Sequence, residues 1–555
     1  METTAYVRLR ALAEAKSGRA EWAEAAALWE RVAEANPVDV LVWARLAEAR
    51  RESGDDRGAI DAYRRVIELG GAYFPWEAAY EVARCHGRLG EAAEAIVWLE
   101  RAFVMGYREF TKPREEPAFA ALRGEARFRE LVADVDTAAM TRDEGWRSDL
   151  ALLVREIKRR TAMRFAEPRG YAPFRALPEA DFDAAVARLH EEIPRLSDPQ
   201  VVVGMMKLIR VLGDGHSQVQ VGDERPDMQA ALPLQLYLFE EGLHVIAAAA
   251  EHGGLLGARV TAIDGRPVAE VVAGLDPVIP RDNDHWVKQV APYRMRETVL
   301  MHALGLLERP DRARLEVVGV DGARREVTVL ADDRWPTIWY AFPYPEGWRS
   351  YAETLDAPLP LYLRHTGVNY WFTALPEQRA VYCQFNRVRD DPHEPFEAFA
   401  ARLFAYVAEQ GADRLVLDLR WNNGGNTFLV RPFLRALIGS SANRWGRLFV
   451  IVGRRTFSAA QNTATMIEQH TDAIFVGEPT GASPNFVGES VHFRLPYSRV
   501  MANVSDLFWQ TSLPMDYRTW IAPRLYAPPT FAAYRENRDP ALEAALACEE
   551  HGPRW

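Results

Sequence analysis

The chain has 555 residues, 48% of them hydrophobic and 26% charged, an ordinary balance for globular protein and too long for one core, so about three or four domains are expected. The net charge of −11 is spread without any basic block, which argues against a nucleic-acid partner, and no apolar run reaches the roughly 18 residues that cross a membrane. The three cysteines, Cys85, Cys383 and Cys548, are scattered. They suggest neither a disulfide framework nor a metal site, and nothing calls for a metal or an organic cofactor. Residues Met1 to Arg10 do not read as a secretory signal, so a reducing, cytoplasmic setting is expected.

The first stretch repeats. Ala25, Trp29 and Val32 recur as Ala59, Tyr63 and Val66, 34 residues later. A looser copy, Ala95, Leu99 and Ala102, follows after a further 36, and Gly54 and Gly90 sit where turns are expected. Small residues at this period let paired helices approach and share a core with their neighbours. The pattern resembles tetratricopeptide repeats and implies an α-solenoid over 1–135, a surface that would receive a protein partner. A plain alanine-rich bundle is the alternative. Residues 111–136 read as a degraded terminal repeat.

A helical segment is expected over 136–225. Its apolar helix Val201–Leu212 ends at Gly213-Asp214-Gly215-His216-Ser217, with Gly213 placed as a C-cap. Strands come next. Leu234–Phe239 and Leu243–Ala247 flank Glu240-Glu241-Gly242, a hairpin signal. Arg259 to Val268 reads strand, turn, strand, and two more strands flank Asp321-Gly322. This β-rich domain over 226–331, with a helical insert over 273–307, is similar to a PDZ domain, a module that binds peptide ends as an added strand. Residues 335–351 are crowded with aromatics and read as packing between domains.

From about residue 332 strands and helices alternate, which implies a parallel-rich α/β core. Strands are expected at Val381–Phe385, Leu415–Leu419, Leu448–Val452 and Ala473–Val476. Helices are expected at Pro395–Gln410, Thr427–Ile438 and Ala459–His470. Ligands gather beyond the carboxyl ends of such strands. Three features fall there: the Gly424-Gly425 turn, Ser458 at a helix start, and Gly477-Glu478. A serine displayed at a helix N-terminus suits a nucleophile. Glycine amides and the amide of Ala459 suit a developing oxyanion.

Three ordered motifs carry a more specific resemblance. They are Asp418-Leu419-Arg420-Trp421-Asn422-Asn423-Gly424-Gly425, then Ser458-Ala459-Ala460-Gln461, then Val476-Gly477-Glu478-Pro479-Thr480, which begins its Gly 19 residues after the serine. With the PDZ-like region upstream, residues of about 210–545 resemble the serine peptidase family of C-terminal processing (tail-specific) proteases and the tricorn core. The resemblance implies a crotonase-like α/β core over 332–555, a Ser458 nucleophile and an oxyanion site of Gly424 or Gly425 with Ala459. Peptide or unfolded protein would be the substrate. The lysine that Ser-Lys members carry some 25 residues after the serine is Ser483 here, a neutral hydroxyl that cannot serve as that base. The tricorn branch takes a histidine from an upstream segment, and His216 resembles that element. A histidine base needs a partner to set its tautomer. Asp516, in the segment from which the tricorn branch takes its acid, is the first choice, with Glu489 and Ser217 as alternatives. Asp214 is expected to brace the loop. Glu478, Ser483 and Asn485 are expected to support the site. A silent peptide-binding scaffold and an esterase on the same residues are the competing readings.

Overall fold

The computed structural model describes residues 3–70, 74–161, 179–332 and 344–549. It forms two compact units, Met1–Ala162 with Val491–Ser498, and Met163–Ser490 with Arg499–Trp555.

The first unit is helical. Helices α1 (Thr3–Gly18), α2 (Trp22–Ala35), α3 (Val40–Glu52), α4 (Asp56–Leu69), α5 (Pro75–Arg88) and α6 (Ala92–Met105) each pack on the next. The nine repeat positions on α2, α4 and α6 are all buried, as residues spaced four and three apart on one helical face should be. Asp39 and Asp55 cap α3 and α4 by accepting from the Leu41 and Gly58 amides. Gly54 and Gly90 take φ of +87° and +74° in the turns that follow α3 and α5, where a side chain would strain the backbone. Residues 111–136 form two short 3₁₀ turns and the helix α7 (Ala126–Leu131) in place of a further helix pair. Helix α8 (Arg142–Arg160) opens on a capping box of Thr141 and Glu144. Its buried Asp149 accepts from the Tyr497 and Ser498 amides at 3.0 and 2.7 Å, which ties in the return segment. The stretch 136–225 is thus divided. Helix α8 lies in the first unit, while α9 (Glu179–Glu192) and α10 (Asp198–Arg210) lie in the second.

The second unit carries the remaining sheets. Strands β2 (Leu234–Phe239), β3 (Gly242–Ala249), β4 (Arg259–Ile263), β6 (Arg312–Val318) and β7 (Arg324–Leu330) form an antiparallel sheet in that order. The short β5 (Arg266–Pro267) pairs with β4, and β8 (Trp348–Ser350) with β3. The insert between β5 and β6 holds α11 (Val268–Leu275), α12 (Asp284–Arg294) and α13 (Thr298–Ala303). Of the aromatic segment, Tyr344, Trp348 and Tyr351 are described. Trp348 is buried and Tyr351 packs on Phe531 and Tyr534, while Trp335, Trp339, Tyr340 and Phe342 lie outside the described residues.

The α/β part is a six-stranded sheet ordered β16 (Leu525–Tyr526), β13 (Ile474–Gly477), β12 (Leu448–Val452), β11 (Arg414–Asp418), β10 (Ala380–Phe385) and β9 (Tyr370–Leu375). All but the last are parallel. Alternate residues face opposite sides, as a period of two requires. Val381, Cys383, Leu417, Val450 and Val452 meet the helices α14 (Phe396–Glu409), α15 (Val430–Gly439) and α16 (Ala459–His470). Tyr382, Val416, Phe449, Ile451 and Val476 meet Ala541 and Ala545 of α17 (Pro540–Ala547). Strand β1 (Gln218–Gln220) pairs antiparallel with β15 (Met501–Gln510), and β14 (Asn485–Arg494) begins in this unit.

Candidate functional site

Strands β11, β12 and β13 end side by side, with Asp418 opposite Ile451 and Val452 opposite Gly477. The loops that leave them converge. Ser458 stands at the N-terminus of α16 with φ +54° and ψ −127°, a conformation that a non-glycine residue holds only when its surroundings impose it. Several bonds do so. The Phe457 amide donates to the Asn422 carbonyl at 3.2 Å, and the Thr456 hydroxyl donates to the Leu419 carbonyl at 3.0 Å while accepting from the Gly453 amide at 3.1 Å. Ser458 itself is only partly buried, between fully buried neighbours.

The glycine turn lies against this serine. A side chain on Gly424 would bring its Cβ to 2.7 Å from the Ser458 Cβ and 2.8 Å from the Ala459 nitrogen. On Gly425 it would meet the Val388 carbonyl oxygen at 2.1 Å. Both residues have φ above +110°, so the sequence needs glycine here for conformation and for closeness. Their amides differ. The Gly424 N–H donates to Asn422 Oδ1 at 2.9 Å and is spent. Among the described residues the Gly425 and Ala459 amides have no acceptor, and these two remain available to an oxyanion. Asn422, fully buried, also donates from Nδ2 to the Phe385 carbonyl at 2.9 Å, so it links β10 to both the glycine turn and the serine turn. The sequence placed Asn422 within a motif without giving it this task.

His216 reaches the same place. Its loop is braced by the buried Asp214, whose Oδ1 accepts from the His216 and Ser217 amides at 3.0 and 2.6 Å and whose Oδ2 accepts from the Ser217 hydroxyl at 3.0 Å. The Gly215 amide donates to Asp282 Oδ1 at 2.9 Å, and Asp282 Oδ2 accepts from the Ser483 amide at 3.3 Å. Asp282, which no sequence motif signalled, therefore joins the histidine loop to the segment where a lysine is expected in the Ser-Lys members. The imidazole stacks on Phe457, the residue before Ser458, at a centroid distance of 4.4 Å, and on Phe486 at 5.2 Å. Among the described residues both ring nitrogens are shut off from solvent and neither makes a hydrogen bond of full geometry, although the Val487 backbone carbonyl lies close enough to act on the ring. Burial pushes its pKa down to about 4, against the charge of Asp214 and the nearby Val487 carbonyl, which favour the protonated ring.

The expected partners of that ring are placed elsewhere. Asp516 is not brought to His216. It accepts from the Ser512 hydroxyl at 2.6 Å and from Arg518 Nε at 2.9 Å, and Arg518 holds its carboxyl down to about 2. The Ser217 hydroxyl serves Asp214 and the Ser505 amide, not the imidazole. Glu489 is exposed at φ +55°. Ser483 donates from Oγ to the Thr519 carbonyl at 3.3 Å, and Asn485 clamps the 512–513 turn through the Ser512 amide and Leu513 carbonyl. Glu478 forms a buried two-point pair with Arg454, Nε to Oε1 and Nη2 to Oε2 both at 2.8 Å. Arg454 Nη1 reaches on to the Leu238 carbonyl of β2, so Glu478 braces the β-rich sheet against the strand ends. Among the described residues no group of three His, Cys, Asp or Glu side chains could hold a metal ion, and no helix is long and apolar enough to cross a membrane.

No family model and no curated protein matches the chain. Among solved structures it is similar to mature CPAF complexed with lactacystin, at 13% identity and a TM-score of 0.48 over 72% of this chain and 97% of that one. It is also similar to the photosystem II D1 C-terminal processing protease, at 13% identity and a TM-score of 0.34 over 72% of this chain and 96% of that one. A third likeness is to the tricorn protease, at 14% identity and a TM-score of 0.32 over 72% of this chain and 36% of that one.

Proposed function

We propose that the chain is a serine-type peptidase in which Ser458 is the nucleophile and His216 the general base. The observation that carries this is the strained Ser458 at a helix start, packed against Gly424 with the Ala459 and Gly425 amides unspent beside it. A plain strand-to-helix turn has no need of such a backbone. Ser458 Oγ attacks the substrate carbonyl and its proton passes to His216. The oxyanion rests on the Ala459 and Gly425 N–H groups. His216 then gives the proton to the leaving amine, and water hydrolyses the acyl-enzyme with His216 again as base. The serine and imidazole are not hydrogen-bonded in the free protein. Such bonds tighten when substrate binds.

Peptide or unfolded protein is the proposed substrate, with the helical unit acting as a tetratricopeptide-like array for a protein partner. The β2–β7 sheet acts as a PDZ-like module, the α/β part as a crotonase-like core, and the cytoplasm is the proposed setting. A silent scaffold is favoured by one observation, that among the described residues no carboxylate is hydrogen-bonded to the His216 ring. A fluorophosphonate decides between them. Phosphonylation of Ser458, abolished in Ser458→Ala and slowed in His216→Ala, supports the peptidase; an unlabelled serine under conditions that label a control hydrolase supports the scaffold.

A further inference from the structure

Among the described residues no carboxylate is hydrogen-bonded to the His216 imidazole, yet its plane is held. Four rings from four separate segments lie face to face. Phe486 of β14 stacks on His216 with planes 5° apart, His216 on Phe457 with planes 27° apart, and Phe457 on Trp286 of α12 at 4.2 Å and 14°. The outer members are fixed. Trp286 follows Asn283, whose Oδ1 caps α12 and whose Nδ2 donates to the Thr480 and Thr519 carbonyls at 3.1 and 2.6 Å. The Trp286 ring also lies so close to Gly481 that a Cβ there would meet it at 2.9 Å. On the far side, a Cβ at Gly488 would meet the Phe486 ring at 3.0 Å. The histidine backbone is anchored as well, its carbonyl accepting from the Ser490 hydroxyl at 3.2 Å and from Asn503 Nδ2.

We propose that Phe486, Phe457 and Trp286 form a clamp that fixes the ring plane of His216, taking over the orienting task that a carboxylate performs in a Ser-His-Asp triad. Rotating the imidazole about its Cβ–Cγ bond would drive its edges into two flat faces, so stacking restricts the ring plane independently of the polar groups near it. Asp214 braces the backbone of this loop, its carboxylate accepting from the His216 amide and from the Ser217 amide and hydroxyl. The rings are positioning residues: none supplies a proton or a charge. The inference rests on the peptidase reading for its catalytic consequence, while the clamp itself can be tested without turnover.

The test uses the full chain and three variants, Phe486→Tyr, Phe486→Leu and Trp286→Leu, the last leaving the ring in contact with Phe486. Leucine keeps apolar volume and removes the flat face; tyrosine keeps the face. With a peptide substrate, Phe486→Leu is expected to lower kcat by about tenfold with KM within about twofold, Trp286→Leu to act in the same direction, and Phe486→Tyr to retain kcat. In parallel, carbethoxylation by diethyl pyrocarbonate is mapped by mass spectrometry. His216 should react more slowly than the exposed His393 and His470 in the parent and in Phe486→Tyr, and faster in Phe486→Leu. A Phe486→Leu protein with parental kcat and parental His216 carbethoxylation overturns the clamp. If the parent's Ser458 resists phosphonylation, the peptidase reading falls separately, and the carbethoxylation rates still decide whether the rings hold the imidazole.

Discussion

At the scale of single residues, the pairing of Ser458 with Gly424 constrains the site closely. A methyl group on Gly424 would meet the Ser458 Cβ at 2.7 Å in a backbone already at φ +114°. Gly424→Ala should therefore displace the serine and slow its phosphonylation by about a hundredfold, the cost of a misplacement near 1 Å; a rate within about threefold of wild type would contradict the geometry. His216 has a separate signature in stability. Its folded pKa of about 4 lies below the ordinary histidine value near 6.5, so the native ring stays neutral while the unfolded chain takes up a proton as the pH falls. The stability held above pH 6.5 is lost between there and about pH 4, on the order of 3 kcal/mol. Urea unfolding from pH 7 to pH 4 should show that extra loss in wild type and not in His216→Leu. Equal slopes would mean that the ring is solvated.

At the scale of elements, buried ion pairs join the strand ends to what lies around them. Arg420, just beyond β11, donates from Nε to Asp418 and from Nη1 and Nη2 to the two oxygens of Asp539, each at 2.8 Å, and Asp539 caps α17. Asp418 also accepts from the Tyr382 hydroxyl at 2.7 Å, and burial pushes its pKa up. Arg420→Ala would leave two carboxylates buried without their cation. It should cost about 3–5 kcal/mol in urea unfolding, whereas a loss below about 1 kcal/mol would show that water reaches them. The elements themselves were largely legible. The apolar runs at 381–385 and 448–452 are β10 and β12 within one residue, and 459–470 is α16, because buried parallel strands and a capped helix leave strong local patterns. Residues 111–136, read as a degraded terminal repeat, fold into two 3₁₀ turns at Pro113 and Pro117 and the short helix α7.

At the scale of the whole molecule, what the sequence hid is what depends on distance along the chain. Ser458, Gly424, Gly425 and Ala459 stand in short local motifs, and the structure brings Gly424 against Ser458 and Ala459. Asp282 bonds Ser483 across 201 positions, and His216 accepts from Asn503 across 287; no local pattern announces either. Asp516, whose place in the C-terminal segment suggested a catalytic acid, is held by its neighbours Ser512 and Arg518. The helical unit also depends on a distant segment, because the buried Asp149 is satisfied by Tyr497 and Ser498. Hydrogen exchange should therefore be faster in α8 when Val491–Ser498 is replaced by a glycine-serine linker, and unchanged protection of α8 would show that Asp149 has no need of that return segment.

The most direct test of the Ser458–His216 pair is the rate of Ser458 phosphonylation by a fluorophosphonate against pH, in wild type and in His216→Ala. A neutral imidazole is the form that can accept the serine proton, so the wild-type rate should rise through about pH 4 and level off, with that inflection absent and the rate lowered in His216→Ala. Superimposable profiles for the two proteins would remove His216 from the mechanism.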